Sequence, residues 1–199
     1  MSGPDWMYGA DLPLLSITFA RDITARELLE RMGAHRDDIA VRSQEDFDEE
    51  FGDLVFDDEG YVVSAGRYGE WAWAWEHSSR WCMESEQLVC DVSAGTAALV
   101  LHANEKPMVE IRYAEQGHLV TGVSTLFGLA PDGRAGSTPW QFDPVLQSFG
   151  ADPANNEYGP LGLRGLFFRL AEELGIGLPH ADLMERPVLC TQLNPLGRE

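Results

Sequence analysis

The chain has 199 residues, with 14 Lys or Arg against 33 Asp or Glu and a formal net charge of −19 at pH 7. That balance excludes nucleic acid and anionic membranes as natural partners, because affinity for phosphate rests on Lys and Arg contacts. It favours a soluble protein, or one that meets a basic surface. The length suits one ample domain that needs neither disulfides nor metal for its core. Cys82, Cys90 and Cys190 have no CxxC spacing and read as small buried hydrophobes of a reducing compartment. The opening MSGPDWMYGAD lacks the basic and apolar regions of a signal peptide. No apolar run approaches the ~20 residues of a membrane helix, so the cytoplasm is the expected location.

Residues 1–13 read as an N-terminal tail and 14–128 as an α+β core. Within 14–21, Leu15, Ile17 and Phe19 alternate with Ser16, Thr18 and Ala20, which predicts a strand. Thr24 and Glu27 have the spacing of a capping box, with Ile23 and Leu28 as its hydrophobic staple. Ala25, Leu28, Leu29 and Met32 then recur at helical spacing, and Gly33 is the stop.

The stretch 45–59, EDFDEEFGDLVFDDE, carries nine carboxylates and no cation: Glu45, Asp46, Asp48, Glu49, Glu50, Asp53, Asp57, Asp58 and Glu59. Phe47 and Phe51 stand four apart, so a short helix can dock one apolar edge and keep its carboxylates in water. The stretch is either a solvated helix face and loop or a surface that receives a basic partner. It is not a calcium loop. Counting back from Gly60 or Gly52 puts Val55 or Phe47 at the first ligand position, where an oxygen ligand is needed.

The chain is organised around 61–76, YVVSAGRYGEWAWAWE. A tight turn at Tyr68-Gly69 would set Arg67 against Glu70, Gly66 against Trp71, Ser64 against Trp73 and Val62 against Trp75. Trp71, Trp73 and Trp75 then leave one face of a sheet, while Val63 and Ala65 oppose Ala74 and Ala72 on the other. A hairpin apolar on both faces belongs in the middle of a sheet. The tryptophans read either as core or as a partly exposed ladder lining a ligand pocket.

Ser85 is placed to cap a helix through Leu88, Val89 and Val92, and 96–102 reads as a buried strand. A second hairpin turns at Gln116-Gly117, pairing Ala114 with Leu119, Tyr113 with Val120 and Ile111 with Gly122. Its Glu110 and Arg112 point to a wet face. From 129 to 159 Gly, Pro, Asp and Asn dominate, so the segment should be largely irregular, apart from a short helix at Asp143-Pro144. Residues 160–199 should hold a firm helix on Leu163, Leu166, Phe167, Leu170 and Leu174, stopped by Gly175, then a helical turn and a closing strand.

There is no HExxH, GxSxG, Walker A or GxGxxG, and Gly159, Gly162 and Gly165 follow no strand. His77 with Cys82 is too thin a set for zinc. A triad assembled from distant segments would leave no local trace.

Several short pieces together resemble an uncharacterised actinobacterial family, domain-of-unknown-function family 6461. They are Thr18-Phe19-Ala20-Arg21 with its capped helix, Trp71-Ala72-Trp73-Ala74-Trp75-Glu76, Ser93-Ala94-Gly95-Thr96, Leu119-Val120-Thr121 and Leu170-Ala171-Glu172-Glu173-Leu174-Gly175. The chain departs from that family in 45–59 and after 129. The resemblance implies a soluble cytoplasmic bacterial protein and carries no catalytic residue.

These readings predict one α+β domain, with an antiparallel sheet of about six strands, helices on one face, and a C-terminal helix plus short strand. The function expected first is that of a non-catalytic acidic binding protein, immunity-like or inhibitor-like. It would engage a basic protein through the nine carboxylates, with no cofactor and no metal. The alternative is a small-molecule binder or enzyme with a pocket lined by Trp71, Trp73 and Trp75.

Overall fold

The computed structural model describes residues 14–57, 59–104, 108–178, 180 and 187–194. Its strands are β1 (Leu14–Arg21), β2 (Ala40–Arg42), β3 (Val62–Tyr68), β4 (Trp71–Glu76), β5 (Ala97–Asn104), β6 (Val109–Glu115), β7 (His118–Ser124), β8 (Arg134–Ala135) and β9 (Val188–Gln192). They form one antiparallel sheet in the order β2-β9-β3-β4-β1-β5-β6-β7-β8. The helices are α1 (Ala25–Arg31), α2 (Gln44–Phe51), α3 (Trp81–Glu84), α4 (Glu86–Val92), α5 (Asp143–Ser148) and α6 (Gly162–Glu173).

The sheet has nine strands rather than about six. β2 and β8 are three and two residues long, too short for alternation to mark them. β9 enters from far along the chain and pairs between β2 and β3.

Helices also cover both faces, not one. On the first face Ile17, Phe19, Trp73, Leu99 and Ile111 are buried beneath α5 and α6, which contribute Leu146, Leu166, Phe167 and Leu170. On the second, Ala20, Ala65, Ala72, Ala74 and Ala98 are buried with Leu28 and Leu29 of α1 and Val89 and Val92 of α4. The alanines keep that face low, so helices approach the backbone closely. The large rings of the first face fill a thicker layer.

Both hairpins form, each with a shifted register. In β3–β4 the partners are Tyr68 with Trp71, Gly66 with Trp73 and Ser64 with Trp75, so the turn residues are Gly69 and Glu70. Gly69, at φ 58°, takes the first central position, where a two-residue turn of this kind needs positive φ. Glu70 then reaches Arg21 of β1 at 2.6 Å instead of facing Arg67. In β6–β7, Ala114 pairs with Leu119, but Tyr113 pairs with Thr121 and Ile111 with Val123. Val120 is the extra residue of a bulge. Its carbonyl accepts from Thr138 N at 2.8 Å, and Leu119 O accepts from Ser137 N at 3.2 Å.

At α1, Thr24 Oγ1 accepts from Glu27 N, while the Glu27 carboxylate binds Arg31 at 2.6 Å, so only half of the capping box forms. The 129–159 segment is built into the fold. It contributes β8 and α5 and places Leu129, Phe142, Leu146 and Ala151 in the core. The helical turn expected before β9 lies outside the described residues.

Candidate functional site

The acidic stretch folds at the β2 end of the sheet. Ser43 caps α2: its hydroxyl accepts from Asp46 N at 3.2 Å, and the Asp46 carboxylate accepts from Ser43 N at 3.2 Å. The Ser43 hydroxyl also donates to Asp46 Oδ2 at 2.6 Å, and this bond, with the one from Ser43 N, holds the Asp46 carboxyl below its ordinary pKa. One turn later Phe47 and Phe51 meet edge to face at 5.4 Å and pack on Val62 and Cys190. This single apolar edge leaves Glu45, Asp46, Asp48, Glu49 and Glu50 exposed. A 3-10 turn, Leu54–Phe56, follows, with Asp53, Asp57 and Glu59 exposed around it. Asp58 lies outside the described residues.

The carboxylates are not equivalent. Glu50 is gripped by Arg42 through Nε at 2.5 Å and Nη2 at 2.7 Å. This two-pronged bond lowers the Glu50 pKa and raises that of Arg42. Arg42 also donates to Cys190 O at 2.6 Å and lies over the Phe51 ring at 4.8 Å. Glu50 and Asp46 therefore hold α2 in place, whereas Glu45, Asp48, Glu49 and Asp53 present charge.

Beside α2 opens a cleft of about 660 Å³, lined in part by Asp37, Asp38, Arg42, Glu50, Phe51 and Glu59. Its wall holds four carboxylates and one guanidinium, and Glu50 already matches that guanidinium. Asp37 and Asp38, between α1 and β2, were not singled out from the sequence. A DD pair in a loop gives no sign that the fold brings it beside residues 50 and 59.

The tryptophans divide. Trp71 and Trp73 are 5% and 1% exposed and belong to the core under α6, while Trp75 is half-buried. Trp73 lies flat on Gly66, where a Cβ would stand 2.7 Å from the ring atom Cε2. Trp75 stacks on His77 at 4.6 Å, and His77 meets Phe47 of α2 at 4.8 Å. The indole N–H groups of Trp73 and Trp75 are buried without an acceptor among the described residues. A cavity of about 270 Å³ touches Gly66, Arg67, Trp73 and Val188.

The fold also assembles buried polar groups that no spacing in the sequence announces. Register places Glu76, Ser16, His102, Glu110 and Ser124 side by side on β4, β1, β5, β6 and β7. Ser16 Oγ lies 2.9 Å from His102 Nδ1, and Ser124 Oγ donates to Glu110 at 2.9 Å. Ser16 and His102 are 0% and 2% exposed, so this Ser-His pair is closed to a substrate. Glu76, wholly buried, accepts from Ser79 Oγ, Trp81 N at 2.6 Å and Cys82 N at 2.9 Å. Burial pushes its pKa up and those donors pull it back. A second pair, Ser64 Oγ and His77 Nε2 at 2.7 Å, sits beneath Phe47, and burial drives the His77 pKa down to about 4. Both pairs act as internal hydrogen bonds of the sheet.

Among the described residues no helix is long and apolar enough to cross a membrane. A family model described as a family of unknown function (DUF6461) matches residues 13–176. No curated protein and no solved structure matches the chain.

Proposed function

The chain belongs to the family of unknown function DUF6461, whose description names no activity, and from the site itself we propose a non-catalytic binding protein. It is immunity-like or inhibitor-like, and its acidic end engages a basic protein partner. One observation supports this most. α2 docks through Phe47 and Phe51 and leaves Glu45, Asp48 and Glu49 in solvent beside a cleft with four carboxylates and one already matched guanidinium. Opposed potentials of that kind steer association and select partners.

The test is a pull-down from host lysate at low and high salt, followed by affinity measurement on the captured protein. The expected result is one stoichiometric basic partner, released by salt and bound at least about tenfold more weakly by the triple variant Asp37→Lys, Glu49→Lys, Asp53→Lys. An empty bait at both salts would sink the reading.

A small-molecule binder or enzyme with a tryptophan-lined pocket is the second reading. It is favoured by the cavity beside Trp73 and by the indole N–H there, which has no acceptor among the described residues. Tryptophan fluorescence across a metabolite panel tests it, and silence throughout argues against it.

A further inference from the structure

Phe56 is the most exposed large apolar side chain among the described residues, at 87%. A lone exposed hydrophobe is ordinary on a protein surface. This one is distinguished by how firmly the chain holds it out. Its neighbours Leu54 and Val55 are half-buried against the Phe51, Val62 and Cys190 cluster, so the 3-10 turn is fastened from inside. Asp57 N donates to Leu54 O at 3.1 Å, Gly60 N donates to Asp57 O at 2.8 Å, and Ser78 Oγ donates to Val55 O. A Cβ at residue 60 would collide with Leu54 O and stand 3.0 Å from Asp57 O, so glycine is what lets the chain close behind the turn. Asp57 Oδ1 further accepts from Glu59 N at 2.9 Å. Every visible restraint turns residues 54 and 55 inward and leaves residue 56 in water, flanked by the exposed Asp53, Asp57 and Glu59.

An aromatic ring carried on a fastened turn inside a charged rim is how a binding hot spot is arranged. The ring is desolvated in a partner's pocket, the rim excludes water, and the backbone of the turn needs little further ordering on binding. We propose that Phe56 anchors the partner of the acidic surface, entering an apolar socket rimmed by Lys and Arg. The proposal rests on the basic-partner reading above. The carboxylates fix the sign of the rim, and the ring fixes its apolar centre.

Two short synthetic peptides of equal charge, one alternating Lys with Leu and the other Lys with Ser, serve as probes. Each is titrated by fluorescence anisotropy into the full chain at about 50 and about 300 mM NaCl. The proteins are wild type, Phe56→Ser, and Leu126→Ser as a control at another exposed apolar residue, 67% exposed. Wild type should hold the Lys-Leu peptide about tenfold more tightly than the Lys-Ser peptide. Phe56→Ser should abolish that preference, and Leu126→Ser should keep it. Melting temperatures within about a degree of wild type confirm that both variants fold. If both peptides bind and are released by salt, but the preference is missing or survives Phe56→Ser, the anchor is overturned and the charge reading stands. If neither peptide binds at low salt, both are overturned.

Discussion

His77 and Gly66 show how single residues set the stability of this sheet. Burial holds the His77 pKa near 4, against an ordinary value of 6.5. Between those values the unfolded chain binds a proton that the folded chain refuses. The contribution of His77 is therefore complete above 6.5 and is lost as pH falls toward 4. Wild type should lose about 2 kcal/mol more than His77→Gln between pH 7 and 4.5, by urea unfolding at each pH. Parallel curves for the two proteins would show that the ring is not buried neutral. At Gly66 the restraint is space rather than charge. A methyl there would overlap Cζ2 and stand 2.7 Å from Cε2 of a ring that is itself 1% exposed. Gly66→Ala should cost about 1–3 kcal/mol by urea unfolding. A change below about 0.5 kcal/mol would mean that Trp73 can shift, and the cavity beside it should then grow.

At the scale of elements, α2 is anchored far less deeply than α6. It has two apolar anchors, a capping box and the Arg42–Glu50 bond, whereas α6 buries Leu166, Phe167, Phe168, Leu170 and Ala171. Phe51→Ala should detach α2 locally, losing about 2–3 kcal/mol of protection there, while β1 and β5 keep theirs. Hydrogen exchange read by mass spectrometry distinguishes this from loss of protection in α2 and the sheet together, which would make α2 part of the global folding unit. The same contrast explains what could be read from the sequence. β1, α1, α2, α4, α6 and the two hairpins announce themselves through local patterns such as alternation, caps and turn glycines. The Phe47/Phe51 edge even carries the exposure of the acidic residues with it. Registers are less local. The β3–β4 pairing depends on Glu70 finding Arg21, and the bulge at Val120 depends on residues 137 and 138, neither of which a hairpin pattern contains. β2, β8 and β9 owe their existence to neighbours brought in by the rest of the chain. So does the cleft, since Asp37 and Glu59 meet only once β9 lies between β2 and β3.

For the whole molecule the dominant fact is charge. Thirty-three carboxylates against fourteen cations leave −19 on a chain of 199 residues, and a large share is crowded at the β2 end. Self-repulsion of this size works against the compact state and is screened by salt. The two exposed sheet edges are short, three residues in β2 and two in β8, so lowering repulsion should not invite edge-to-edge pairing. Raising NaCl from about 20 to about 300 mM should therefore lift the melting temperature by roughly 2–4 °C, about 1 kcal/mol for a domain of this size. The gain should shrink in the variant Glu45→Gln, Glu49→Gln, Asp53→Asn, which removes charge without touching Glu50 or the α2 cap. Scanning calorimetry of both proteins decides the matter. A melting temperature that stays flat or falls with salt would mean that local ion pairs such as Arg42–Glu50 outweigh the net field. With the expected rise, salt acts in opposite senses on the two properties of one surface, steadying the fold while loosening the grip on a basic partner. Measuring both on the same samples separates a field that serves binding from one that is only tolerated.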